Sequence, residues 1–329
     1  MGLRQDPDRV VDFAEVGHTL LPWPSVRDGS WMRKMLRRNF LALTGAGLKA
    51  TASLPAFHGL SSFLLETIMQ DASSGFAPVK GLNLYYEIHG EGQPLIMLHG
   101  GVSASEAFGQ NLTELAKTRK VIALHLQGHG RTKDIDRPLR FELMADDVAA
   151  LMALLKIEKA DVLGYSLGGG VALQTAIRHP AAVDRLIVVS AAMQRDGSFP
   201  EVIAAFDQMT AHAPQIAQNI KDSPLGQRYP EVNWETLLRK IAEMESHDFD
   251  WSEQVRKLRS PTMLVFADAD SVRPEHVVAF YKALGGGQRD AGLDGSLRSA
   301  ARLGVVPGAT HYNILSTTAV ANMASAFLS

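Results

Sequence analysis

Gly164-Tyr165-Ser166-Leu167-Gly168 follows an apolar run at residues 160–163 and opens a helix-like stretch at 167–178. Strand, sharp turn and helix is the setting in which a G-x-S-x-G pattern carries a serine nucleophile. The chemistry needs both glycines. They let the backbone take a strained turn and let the helix pack close to the strand. Ser166 is then expected at the top of a sheet, with a helix N-terminus beneath it.

Outward from that turn the chain alternates. Residues 82–89 alternate apolar and polar side chains, as a half-buried edge strand does. Short apolar runs follow at 94–98, 121–124, 160–163, 186–189, 262–266 and 303–306. Between them, 105–117, 141–156, 167–178, 275–284 and 315–328 read as helices. In 141–156, Met144, Val148, Leu151, Met152 and Leu155 share one helical face. This rhythm predicts an α/β fold with an open, mostly parallel, doubly wound sheet. Residues 191–259 break it, offering helical segments and no strand. A stretch that long predicts a helical cap inserted over the carboxyl edge of the sheet. The expected organisation is an N-terminal extension (1–70), a core (76–190 and 260–329) and the cap (191–259). Residues 71–75 read as a linker. Gly285-Gly286-Gly287 opens a polar surface loop, because no G-K-[ST] follows to make it a phosphate cradle.

A serine hydroxyl needs a general base, and the base needs an orienting acid. In a sheet of this kind they follow later strands in the order Ser, acid, His. Of the chain's 11 histidines, only His311 follows the last strand at a turn, Pro307-Gly308-Ala309-Thr310-His311, near the C-terminus. It is the expected base. The strand at 262–266 runs into Ala267-Asp268-Ala269-Asp270. Asp270, in the later position, is the expected acid. Asp268 is the alternative, with a bland role of accepting from turn amides. An oxyanion hole requires two backbone N–H groups aimed at the developing charge. One is expected from Leu167, at the start of its helix. The other is expected from the glycine loop Leu98-His99-Gly100-Gly101-Val102, with Gly101 as donor and Val102 second. His99 reads as a residue that ties the loop down. His125 and His129 in the Gly128-His129-Gly130 loop offer too few ligands for a metal, so that loop reads as structural.

Composition removes several classes. The chain has 329 residues, is 46% hydrophobic and 21% charged, and carries a net charge of −2. That balance points to neither nucleic acid nor an anionic membrane surface. No cysteine is present, which excludes disulfides, thiolate catalysis and cysteine-held metals together. No run of about 18 uncharged apolar residues exists to span a bilayer. The N-terminal region holds Arg37-Arg38 before a weakly apolar, glycine-bearing segment. This resembles a twin-arginine signal and predicts export to the periplasm, with translation starting at Met32 or Met35 as one way to explain its late position. The competing expectation is an amphipathic helix on a cytoplasmic protein.

Taken in order, His99-Gly100-Gly101, Gly128-His129-Gly130, the Ser166 pentapeptide, the Asp268/Asp270 loop and the His311 turn resemble the α/β-hydrolase superfamily, in its capped esterase-like and haloperoxidase-like branch. The resemblance covers about residues 76–329. It implies an eight-stranded, mostly parallel sheet, a helical cap between the sixth and seventh strands, and no cofactor. One departure stands out: His125 occupies the position where the family often has Asp. The expected activity is a serine hydrolase acting on a small-molecule carboxylic ester or related acyl substrate. Cleavage of a C–C bond, a lactone or an amide, and cofactor-free haloperoxidation, use the same serine and remain alternatives. A non-catalytic ligand-binding protein on the scaffold is a further one. The cap residues Phe199, Phe206, Met209, Trp234, Met244, Phe249 and Trp251 are expected to divide between core and pocket.

Overall fold

A computed structural model describes residues 73–329. Arg37-Arg38, Met32 and Met35, on which the export expectation rests, lie outside the described residues. Eight strands form one sheet: β1 (Ser73–Val79), β2 (Leu82–His89), β3 (Gln93–Leu98), β4 (Arg119–Leu124), β5 (Ala160–Tyr165), β6 (Val183–Val189), β7 (Thr262–Ala269) and β8 (Arg302–Thr310). Their order is β1-β2-β4-β3-β5-β6-β7-β8. β2 pairs antiparallel with both β1 and β4, and every other pairing is parallel.

The central strands read as continuous apolar runs because both faces are covered. Leu95, Met97, Leu163, Ile187, Val189 and Val265 point to one face. There they meet α1 (Gln110–Ala116) and α9 (Ala319–Leu328), which pack on each other. The alternate set, Ile96, Leu98, Val162, Leu186, Val188 and Leu264, is fully buried on the other face. That face carries α2 (Phe141–Leu154) and α3 (Leu167–Arg178), also a packed pair. Each fully buried Leu, Ile or Val contributes about 1.5–3 kcal/mol relative to exposure.

Two boundaries differ from the sequence expectation. Ser73, Ser74 and Gly75 are not linker but the start of β1, paired with Ile88, Glu87 and Tyr86. Polar residues fit there because the outer side of an edge strand faces water. The helix expected at 105–117 is a short 3-10 turn (Ser105–Phe108) and then α1. Gly109, at φ 49°, separates the two.

Between β6 and β7 lie only helices: α4 (Pro200–Lys221), α5 (Pro224–Arg228), α6 (Trp234–Ser246) and α7 (Ser252–Val255). Pro200 opens α4 at a position where no N–H is needed. The Asn233 side chain caps α6 by accepting from Thr236 N–H at 3.1 Å. The ends of the insert meet in a bridge between Gln194 and Asp250. Lys240 of α6 donates to Asp134 at 2.6 Å, and Arg228 donates to Glu106 at 2.9 Å. These contacts fasten the insert to the loops that follow β3 and β4, at the carboxyl edge of the sheet. α8 (Pro274–Ala283) follows β7.

Candidate active site

β5 ends at Tyr165, and the chain turns through Ser166 into α3 at φ 54° and ψ −122°. A non-glycine residue holds such a conformation only at a cost of order 1–3 kcal/mol, and the surroundings must impose it. Here they do. Ser166 N–H donates to Val189 of β6 at 2.9 Å, and its carbonyl accepts from Gly169 and Gly170 at 2.8 and 3.1 Å. The flanking glycines leave the necessary room. A Cβ on Gly164 would land on the Gly168 carbonyl, and one on Gly168 would land on the carbonyls of Leu98 and His99.

Three expected residues come together across the carboxyl edge. Ser166 Oγ lies 3.0 Å from His311 Nε2, and His311 Nδ1 lies 3.0 Å from Asp270 Oδ1. The His311 side chain is 13% exposed and that of Asp270 only 2%, so the acid is screened from water while the imidazole edge stays reachable. The Tyr165 hydroxyl donates to the His311 carbonyl at 2.6 Å and fixes the loop after β8. Asp268 does not join this group. It is exposed, and its Oδ2 accepts from Gly308 N–H at 2.9 Å, holding the Pro307-Gly308 turn.

Asp270 is densely satisfied. Oδ2 accepts from Ser190 Oγ at 2.6 Å and Ala267 N–H at 2.9 Å, and Oδ1 accepts from Ser271 N–H at 2.8 Å. Burial pushes its carboxyl up, but the hydrogen bond and charge of His311 and the bonds from Ser190 and Ala267 outweigh it. The net result is below the ordinary aspartate value. Ser271 Oγ also sits 2.8 Å from His311 Nδ1. The sequence reading missed Ser190 and Ser271. The signal was a hydroxyl directly after an apolar strand (β6) and another directly after the expected acid.

Leu167 is the first residue of α3, and Gly101 lies in the turn after β3. Among the described residues neither N–H has a hydrogen-bond partner. The two segments adjoin: a Cβ on Gly101 would stand 3.5 Å from Leu167 Cδ1. Val102 adopts φ 54°, another strained position in the same loop. His99 anchors the loop, with Nδ1 2.7 Å from the Gly100 carbonyl and Nε2 accepting from Leu126 N–H at 3.1 Å. Burial, with the nearby His129 and His125, holds its imidazole well below the ordinary histidine value.

His125 explains the departure in the Gly128-His129-Gly130 loop. Its Nδ1 accepts from Arg131 N–H at 2.9 Å, and its Nε2 lies 3.0 Å from Ser105 Oγ. An imidazole nitrogen thus meets the turn amide that a carboxylate could also meet. Both ring nitrogens are occupied, so the ring is a brace rather than a free ligand. Burial lowers His125 and His129 to about 4 each. The aromatic and methionine side chains between β6 and β7 differ in burial. Trp234, Met244 and Trp251 are buried, whereas Phe199, Phe206, Met209 and Phe249 are half-buried.

A family model described as the alpha/beta hydrolase fold matches residues 93–221. The chain is 37% identical over 133 residues to the 2-hydroxymuconate semialdehyde hydrolase of Pseudomonas sp. strain CF600, a match spanning 39% of this chain and 46% of that protein. A putative carbamate hydrolase of Azorhizobium caulinodans is 26% identical over 216 residues, 59% of this chain and 80% of that one. The crystal structure of the enol-lactonase from Burkholderia xenovorans LB400 superposes with a TM-score of 0.61 at 20% identity, covering 77% of this chain and 99% of that chain. At that identity the superposition speaks to fold alone. With this strand order, and with the family model resting on the strand, turn and helix that carry Ser166, the chain has the alpha/beta hydrolase fold.

Proposed function

We propose that the protein is a serine hydrolase that cleaves a carboxylic ester or related acyl substrate through an acyl-enzyme. The observation that carries this reading is the continuous relay Ser166 Oγ, His311, Asp270, with both links at 3.0 Å. Ser166 Oγ attacks the carbonyl carbon while His311 Nε2 takes its proton. Asp270 holds Nδ1–H and stabilises the imidazolium that forms. The oxyanion is received by the N–H groups of Leu167 and Gly101. Collapse expels the alcohol, which takes the proton back from His311. Water, deprotonated by His311, then attacks the acyl carbon, and the acid leaves with Ser166 Oγ restored. Each oxyanion donor is worth about 10²–10³ in kcat.

Ser166→Ala is expected to abolish hydrolysis of p-nitrophenyl butyrate and labelling by a fluorophosphonate. Activity that persists in the variant would sink the assignment. A second reading has its own support. The 37% identity to a semialdehyde hydrolase favours hydrolysis of a C–C bond beside a carbonyl by the same serine. The amide or carbamate reading has weaker support, at 26% identity. Comparing turnover of a vinylogous 1,5-diketone and of an ester by the same preparation distinguishes the first two.

A further inference from the structure

For His311 to take the proton of Ser166 through Nε2, its own ring proton must sit on Nδ1. Two acceptors meet that Nδ1–H. Asp270 Oδ1 lies 3.0 Å away, and Ser271 Oγ is nearer, at 2.8 Å. Asp270 Oδ1 is also divided among other donors. It accepts from Ser271 N–H at 2.8 Å and from Val272 N–H at 3.4 Å.

A hydroxyl can meet an imidazole nitrogen in either sense. If Ser271 O–H donated to Nδ1, the ring proton would sit on Nε2, and His311 could not act as a base. The bare Nδ1 lone pair would then face the Asp270 carboxylate at 3.0 Å with no proton between them. The bonds that hold the Asp270 carboxyl below its ordinary value keep it ionised, so that arrangement is repelled. The opposite sense remains: Nδ1–H donates and Ser271 Oγ accepts. The hydroxyl proton is then free to turn toward Asp270 Oδ1, 3.5 Å away.

The backbone holds Ser271 in place from both sides. Its N–H is tied to Asp270, and its carbonyl accepts from Phe199 N–H at 3.0 Å, at the start of α4. Ser198 and Val272 form a bridge, and Arg273 N–H donates to the Gly197 carbonyl at 2.9 Å. The root of the helical insert thus fixes the short segment that presents the Ser271 hydroxyl to His311.

We propose that Ser271 is a positioning residue for the reaction: it shares the His311 Nδ1–H with Asp270 and steadies the imidazolium formed when Ser166 gives up its proton. The inference deepens the serine-hydrolase reading and rests on it. The other groups against the ring are Tyr165 and Tyr312, with centroids at 5.5 and 5.2 Å. Burial and the Asp270 charge raise both phenols, so they stay neutral and Asp270 supplies the charge.

In Ser271→Ala, kcat for p-nitrophenyl butyrate is expected to fall about 3- to 10-fold, with KM within about twofold. The acid limb of kcat/KM should move down by about half a pH unit, because an imidazolium with one acceptor fewer releases its proton more readily. Ser271→Thr keeps the hydroxyl and should restore both. A merely structural role would lower the fraction of active protein, counted by fluorophosphonate titration, and leave the acid limb in place. An acid limb that stays put in Ser271→Ala overturns the proposal. An upward move also overturns it, since the hydroxyl would then have been donating. So does a Ser271→Thr protein no better than Ser271→Ala. The His311 Nδ1–H proton resonance, recorded with Ser166→Ala in the background, gives a readout without turnover. It should shift when Ser271→Ala is added and return with Ser271→Thr, and an unmoved resonance overturns the proposal. Failure of the native protein to hydrolyse the ester would refute the hydrolase reading, while the resonance still decides the role of Ser271.

Discussion

Two aspartates two positions apart illustrate how much a single residue's surroundings decide. Asp268 is solvated and accepts one turn amide. Asp270 is enclosed, takes bonds from Ser190, Ala267 and Ser271, and holds His311 Nδ1. Asp270→Asn should leave the protein folded and lower kcat by about 10³–10⁴, because the amide no longer holds the productive imidazole tautomer. Asp268→Asn should stay within about threefold, the amide oxygen still accepting from Gly308. Steady-state hydrolysis of p-nitrophenyl butyrate by both variants checks this, and equal losses would contradict the division of roles. The depressed Asp270 carboxyl also has a stability sign. Its contribution is fully present above the ordinary aspartate value of 3.8 and is lost as pH falls through the lower native value.

At the level of elements, the crossing of β5 and α3 sets the site. Strand and helix approach so closely that glycine is required at Gly164 and Gly168, and the turn between them is forced into the Ser166 conformation. Gly168→Ala would drive a methyl into the carbonyls of Leu98, the last residue of the central strand β3, and of His99, the next residue, which are backbone and cannot yield cheaply. It should cost about 3 kcal/mol or more. Gly101→Ala offers the contrast, since its new methyl would meet only Leu167 Cδ1 at 3.5 Å and Ile241 Cδ1 at 3.6 Å. That change should stay within about 1 kcal/mol. Urea midpoints of the two variants measure the difference, and comparable losses would show that the strand–helix approach is not the constraint.

For the molecule as a whole, the Glu245 carboxyl ties stability to pH. In the unfolded chain it titrates near 4.5, and in the fold at about 7. Below both values it is protonated in either state and carries no penalty. As pH rises between them, the unfolded state ionises first and stability falls. Above about 7 the loss is complete. The full shift would correspond to about 3 kcal/mol, and residual solvent access reduces it to about 1–2 kcal/mol. Glu245→Gln should therefore raise Tm by about 2–8 °C at pH 8 and leave it nearly unchanged at pH 4. Melting curves at the two pH values check the sign. A variant no more stable than the native protein at pH 8 would show that the carboxylate finds a partner after all.

Much of the architecture was legible in the chain. Apolar runs that must be covered on both faces gave the central strands and their order of appearance. The spacing of glycines around Ser166 marked the turn, and the position of His311 after the last strand marked its partner. Those features depend on local sterics and on periodicity, which neighbours in sequence carry by themselves. Other features waited for the fold. The first strand was hidden because Ser73, Ser74 and Gly75 pair at an edge, where polarity is allowed. The choice of Asp270 over Asp268 rests on which carboxyl points at an imidazole 41 residues away. Ser190, Ser271 and Glu245 gain their significance from groups distant in the chain. Sequence determined which side chains could do chemistry and on which element each sits. Tertiary structure alone decided which of them meet and which carboxylates are paired or left bare, because distance and desolvation arise only when separate elements pack together.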